Sequence, residues 1–195
     1  PQALQWEALP RWNRSVKTSA LVSARGRIFY ILDDSHFASS ERTWALVARD
    51  AFNGIQLWRH ELSSWGGSRG GKKVGPAQVN RLLVARDNRV YAALGEAAPV
   101  SVLDAATGAV LRVLDPTAPA EEFIVSADTL VALANPNTEA DRRRGASHPM
   151  RLVAVAPESG ALRWERPVDT VLPLTLAADG RQVVYHDGTD RKSVV

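Results

Sequence analysis

One phrase recurs along this chain and limits what it can fold into. It reads Asp50-Ala-Phe-Asn-Gly54-Ile-Gln-Leu-Trp58, then Asp104-Ala-Ala-Thr-Gly108-Ala-Val-Leu-Arg112, then Pro157-Glu-Ser-Gly160-Ala-Leu-Arg-Trp164. Each copy ends a polar turn on glycine and places Trp, Arg or Trp four residues later. Gly54, Gly108 and Gly160 recur at a period of about 50 residues, the range of propeller blades. A glycine after Asn, Thr or Ser supplies the positive φ that a tight turn demands.

A second element recurs upstream of each phrase. Short polar turns at Arg25-Gly26, Asp87-Asn88, Ala127-Asp128 and Asp179-Gly180 separate paired apolar runs. Short β-rich runs between turn residues, without a sustained helical period, read as all-β. Each unit then holds four strands, A to D. The blades are expected at 12–62, 78–115 and 120–168, with a partial blade at 171–195 and a lone D strand at 3–7 containing Trp6. The fold class is therefore an all-β propeller of four-stranded antiparallel blades, about four of them visible. Residues 1–195 are expected to form a single propeller segment that continues into further blades of a larger propeller; the alternative is closure as four blades, with the D strand at 3–7 completing the sheet at 171–195.

Composition narrows the function classes. The chain has 195 residues and no cysteine, which removes disulfides, thiolate metal sites and thiol catalysis. Its 24 Lys+Arg against 21 Asp+Glu leave a formal charge of +3, too small and too dispersed to point to nucleic acid. No 18-residue apolar run marks a membrane span.

These residues resemble the pyrroloquinoline-quinone-like propeller repeat, roughly Ala-x-Asp-x-x-Thr-Gly-x-x-x-Trp. Val102-Leu-Asp104-Ala-Ala-Thr107-Gly108 matches it best, and Ala48-Arg-Asp50-Ala-Phe-Asn53-Gly54 with Trp58 follows. The third copy has Ala156 in place of Asp but keeps Gly160 and Trp164. The resemblance implies that Asp50, Gly54, Trp58, Asp104, Thr107, Gly108, Gly160 and Trp164 are structural, each Trp packing under the turn of the neighbouring blade. It also implies a periplasmic or secreted bacterial protein. Family members include quinone-dependent dehydrogenases and an outer-membrane assembly lipoprotein that binds no quinone.

Strand order sorts the connections. The A–B and C–D turns, at one end of every blade, are short. The long segments, 34–42, 63–77 and 135–149, are B–C or D–A connections at the opposite end. Long connections in compact domains tend to carry function. The segment 63–77 reads as a flexible D–A crossing, glycine-rich and basic, with Trp65 over the channel mouth and Arg69, Lys72 and Lys73 beside it. It lacks the Gly-Lys-Ser/Thr ending of a phosphate loop. The segment 135–149 holds Arg142, Arg143, Arg144 and His148. These eight residues form the candidate partner face, suited to carboxylate or sulfate groups. Asp33, Asp34, His36 and Glu41 lack the spacing of a known calcium loop, and no catalytic motif is present.

The expected function is a non-enzymatic binding or scaffold module with a protein or glycan partner on the B–C/D–A end. The alternatives are a segment of a quinone-dependent dehydrogenase and a polysaccharide-binding accessory. No cofactor or metal is expected in this segment; the quinone with calcium belongs only to a complete quinoprotein.

Overall fold

The computed structural model describes residues 17–33, 43–62, 65, 67–69, 72–74, 78–189 and 192–194. The D strand expected at 3–7, with Trp6, lies outside them, as do Asp34, His36 and Glu41. Strands β1 (Lys17–Ala24), β2 (Arg27–Asp33), β3 (Trp44–Asp50) and β4 (Gln56–Glu61) form the first sheet in sequence order. A two-stranded hairpin follows, β5 (Gly67–Arg69) with β6 (Lys72–Val74). The second sheet contains β7 (Leu83–Arg86), β8 (Arg89–Ala93), β9 (Val100–Asp104) and β10 (Val110–Leu114). The third contains β11 (Ala120–Ser126), β12 (Thr129–Ala134), β13 (Met150–Val155) and β14 (Leu162–Val168). A helix α1 (Glu139–Arg144) interrupts it between β12 and β13. The fourth sheet has three described strands, β15 (Ala177–Ala178), β16 (Val183–His186) and β17 (Lys192–Val194). Every strand follows its chain neighbour across its sheet, so each sheet is a meander.

Two compact units are distinguished. One comprises described residues up to Glu96 together with Val102–Leu111, and the other Ala97–Ser101 together with Arg112 onward.

The inner strands explain the apolar runs. In β3, Trp44 to Ala48 are buried in succession, and in β12 Leu130 to Ala134 are. A strand covered on both faces has no polar side to alternate with. Alanines at Ala45, Ala48, Ala132 and Ala134 keep the sheets thin enough for neighbours to approach. The fourth strands differ: β10 exposes Val110, Leu111 and Val113 and buries only Leu114. In the second unit, Val131, Leu133, Leu152 and Ala154 of the third sheet pack with Val168, Val171, Leu176 and Val183.

Two connections carry more structure than the sequence suggested. The segment 63–77 contains the β5–β6 hairpin, with Arg69 registered against Lys72 and Ser68 against Lys73. The segment 135–149 contains α1. One strand is shorter: the run at 171–178 keeps only β15 extended. Pro173 has no amide to give a ladder. Instead, Leu172 N donates to His186 O at 2.8 Å, Thr175 Oγ1 donates to Leu172 O at 2.7 Å, and Leu174 takes φ +63°. The buried Glu122 carboxylate accepts from Leu174 N at 2.9 Å and ties this segment to the third sheet.

Candidate functional site

The repeated phrase folds as the same turn three times. Gly54, Gly108 and Gly160 have φ of +73°, +75° and +77°. Each glycine amide donates four residues back, to Asp50 O at 3.0 Å, Asp104 O at 2.9 Å and Ala156 O at 2.7 Å. Asp104 Oδ1 accepts from Ala106 N at 3.0 Å, Thr107 N at 2.9 Å and Thr107 Oγ1 at 3.0 Å. Asp50 Oδ1 does the same for Phe52 N at 2.9 Å and Asn53 N at 3.0 Å. These Asx turns hold the loop through bonds local in sequence. The Thr107 amide and then its hydroxyl, with help from the Ala106 amide and the Arg89 charge, hold the Asp104 carboxyl below its usual range. Where Ala156 replaces Asp, Ser159 Oγ still accepts from Ala161 N at 3.2 Å.

In the first unit, Trp58 packs beneath the next turn. Its Nε1 donates to Ala105 O at 3.1 Å, and a Cβ placed on Gly108 would lie 2.6 Å from its ring. His60 Nε2 approaches Gly108 O to 2.5 Å and stands edge-on to Trp58. His60 is the residue that sequence reading missed. Its partner is 48 positions away, and only its place two residues after the motif Trp signals the role. In the second unit Arg112 takes the Trp position, with Cδ 3.2 Å from where a Cβ on Gly160 would be.

The candidate partner residues separate by unit. Trp65 is 1% exposed and packs on Trp44 with ring centroids 6.1 Å apart. The large ring has more apolar surface to bury than its one N–H can recover from water. Arg69, Lys72 and Lys73 lie on the hairpin of the first unit. Arg142, Arg143 and Arg144 lie on α1 of the second, where Arg143 and Arg144 are exposed.

The sequence starts α1 with Thr138-Glu-Ala-Asp141, a capping box. Asp141 N donates to Thr138 Oγ1 at 3.1 Å, and Thr138 N donates to Asp141 Oδ2 at 3.0 Å. The Thr138 hydroxyl, then its amide, holds the Asp141 carboxyl low, with smaller help from Arg144 and His148. Gly145 ends the helix at φ +69°. Asn137 closes the loop around it: Nδ2 donates to His148 O at 2.8 Å, and Oδ1 accepts from His148 N at 2.5 Å. Arg144 is partly neutralised by Asp141 at 3.2 Å. The arginine run and His148 are thus held on one structured loop.

His186 and Asp187 are engaged locally. His186 Nδ1 accepts from Gly188 N at 2.9 Å, and Asp187 Oδ1 accepts from Thr189 N at 2.9 Å. Among the described residues no three His, Asp or Glu side chains converge as a metal site. No described helix is long and apolar enough to cross a membrane.

Comparison with known proteins agrees with this repeat. The family profile described as "Outer membrane protein assembly factor BamB" matches residues 3–189. No curated protein matches the chain. Among solved structures, the computationally designed Ika4 protein superposes with TM-score 0.61 at 15% identity, over 98% of each chain. The computationally designed Ika8 protein gives 0.60 at 16% identity, covering 91% of this chain and 45% of that one. A europium-containing methanol dehydrogenase gives 0.55 at 16% identity, covering 99% of this chain and 43% of that one. The chain thus spans less than half of two of these structures, and at such identity the likeness concerns fold alone. With the repeated turns, the four-stranded meanders and the family profile in agreement, the chain belongs to the pyrroloquinoline-quinone-like β-propeller family whose profile is that of the assembly factor BamB.

Proposed function

We propose that this propeller module is a non-enzymatic binding or scaffold unit of a bacterial envelope or secreted protein. Its partner docks on the loop between β12 and β13. The observation that carries the reading is α1: a long B–C connection folded by a capping box and an Asn137 clamp into a helix on which Arg143 and Arg144 are exposed. Ordering such a loop costs conformational entropy, and the return is a preorganised cationic surface. Arginine forks suit the carboxylates of an acidic protein surface. The basic β5–β6 hairpin is a second candidate contact, in the other unit.

The donor set among the described residues does not fit a quinone with calcium. The turn carboxylates Asp50, Asp104 and Asp179 are spent on backbone amides.

The test compares the wild-type chain with an Arg142→Ala/Arg143→Ala/Arg144→Ala variant as bait for envelope extracts. Partners recovered by the wild type should fall at least tenfold with the variant, while far-UV circular dichroism stays unchanged. Undiminished recovery removes α1 from the interface. Dye reduction after adding pyrroloquinoline quinone and calcium would replace the scaffold reading with the dehydrogenase one.

A further inference from the structure

The first three sheets each end on their fourth strand, β4, β10 or β14. Such a strand is paired on one side only, and its other side offers backbone amides and carbonyls to any strand that arrives. Charged side chains or proline ordinarily prevent that pairing. Two of the three edges are guarded in this way. β4 carries Arg59 and Glu61. β14 carries Arg163, Glu165, Arg166 and Pro167, with Arg163 on Asp128 at 2.6 Å and Arg151 on Glu165 at 3.0 Å.

β10 lacks such guards. Its sequence is Val110-Leu-Arg-Val-Leu114. Three places after the turn glycine stand Leu57, Leu111 and Arg163 in the three sheets, and five places after it stand Arg59, Val113 and Glu165. Only the second sheet is aliphatic at both. Val110, Leu111 and Val113 are 44%, 48% and 45% exposed. β10 lies in mid-chain, with complete four-stranded sheets before and after it. Among the described residues it pairs with β9 alone. An apolar, unguarded edge invites aggregation unless something covers it.

The one charge of β10 says what kind of strand would fit. Arg112 is exposed, and its Cδ lies 3.2 Å from where a Cβ on Gly160 would be. Among the described residues no carboxylate pairs with its guanidinium. Successive residues of a strand point to opposite faces, so Arg112 and Val113 present a cationic and an aliphatic side. Two copies of β10 paired antiparallel about their centres would oppose Arg112 to itself, and like charges directly opposed are unfavourable. A carboxylate in that place is favourable.

We propose that β10 is the docking edge for an extended segment of a partner protein in which aliphatic residues alternate with carboxylates. The segment adds to the second sheet as a fifth strand. Its backbone completes the open ladder of β10, its aliphatic side chains cover the Val113 side, and a carboxylate pairs with Arg112. The five residues of β10 offer about 17 Å of edge, the length of an ordinary strand. Docking here does not require α1.

A dye-labelled decapeptide of strictly alternating glutamate and valine is titrated into the 195-residue chain and followed by anisotropy. Saturable binding is expected, with the lysine–valine counterpart at least tenfold weaker. Only one edge of the peptide enters the ladder. N-methylation of either the valine amides or the glutamate amides should therefore abolish binding, and methylation of the other set should spare it. Leu111→Ser/Val113→Ser, which leaves the net charge unchanged, should weaken binding at least fivefold. The Arg142→Ala/Arg143→Ala/Arg144→Ala variant should bind as the wild type does. No saturable binding, equal affinity for the two methylated peptides, or loss confined to the α1 variant overturns the proposal. A dimer of the chain that dissociates on Leu111→Ser/Val113→Ser in sedimentation would give β10 to a second copy and overturn it as well.

Discussion

Gly108 meets two demands at once. Its φ of +75° disfavours any L side chain, and a Cβ would lie 2.6 Å from the Trp58 ring. Gly108→Ala should therefore destabilise by about 2–4 kcal/mol, combining backbone strain with overpacking. Gly145 shares the dihedral, φ +69°, but no atom lies within 4 Å of its would-be Cβ. Gly145→Ala should cost only about 1 kcal/mol. Denaturant titration of both variants separates the two contributions, and equal losses would refute the packing half.

Asp104 supplies a pH test. Its folded-state pKa is lowered, chiefly by the Thr107 amide. The stabilisation is thus fully present above the unfolded-state pKa and fades as pH falls through the folded value. Asp104→Asn keeps an acceptor oxygen but cannot titrate. Its melting temperature should fall below wild type at pH 7 and converge on it below the carboxylate range. A gap constant across that range would remove the charge from the account. Asp104, Thr107 and Gly108 were legible in the sequence because their bonds are local. His60 was not, because its acceptor is distant in the chain.

At the scale of elements, the second blade departs from its siblings through one residue. Arg112 lies where Trp58 and Trp164 lie, close to Gly160. It covers the turn with its aliphatic stem and buries less apolar area than an indole would. Arg112→Trp should raise stability by about 1–2 kcal/mol. For a chain of this size that is a rise of about 2–4 °C per kcal/mol in a thermal melt. A lower melting temperature would show that the Gly160 seat is shaped for arginine.

Helix α1 was not foreseen, although both its signals are written out: Thr138 three residues before Asp141, and Gly145 after the last turn. Six residues are too few for a helical hydrophobic period, and the helix carries arginines where a core stripe would be sought. The run at 171–178 misled in the opposite direction. Its apolar residues suit a strand, but Pro173 and the Glu122 contact turn the backbone before β15.

At the scale of the whole molecule, the meander of four-stranded sheets was legible because period and turn chemistry agree, and agreement between levels is what specifies a fold. The contents of the long connections were not, since a β5–β6 hairpin of three-residue strands and a six-residue helix leave no periodic trace. Charge is likewise a property of the whole. A net +3 can still conceal a nucleic-acid surface if the cations cluster and stand unpaired. Here several arginines are interleaved with acids: Arg25 with Asp87 at 2.9 Å, Arg151 with Glu165 at 3.0 Å, Arg163 with Asp128 at 2.6 Å. Each cation engaged in this way must release its carboxylate before it can replace a counterion on a phosphate. Duplex DNA at low salt should therefore show no saturable anisotropy change with this chain. Binding with a steep inverse dependence on salt concentration would mean that the arginines of α1 and the basic β5–β6 hairpin act on phosphates, and the acidic protein partner would have to be abandoned.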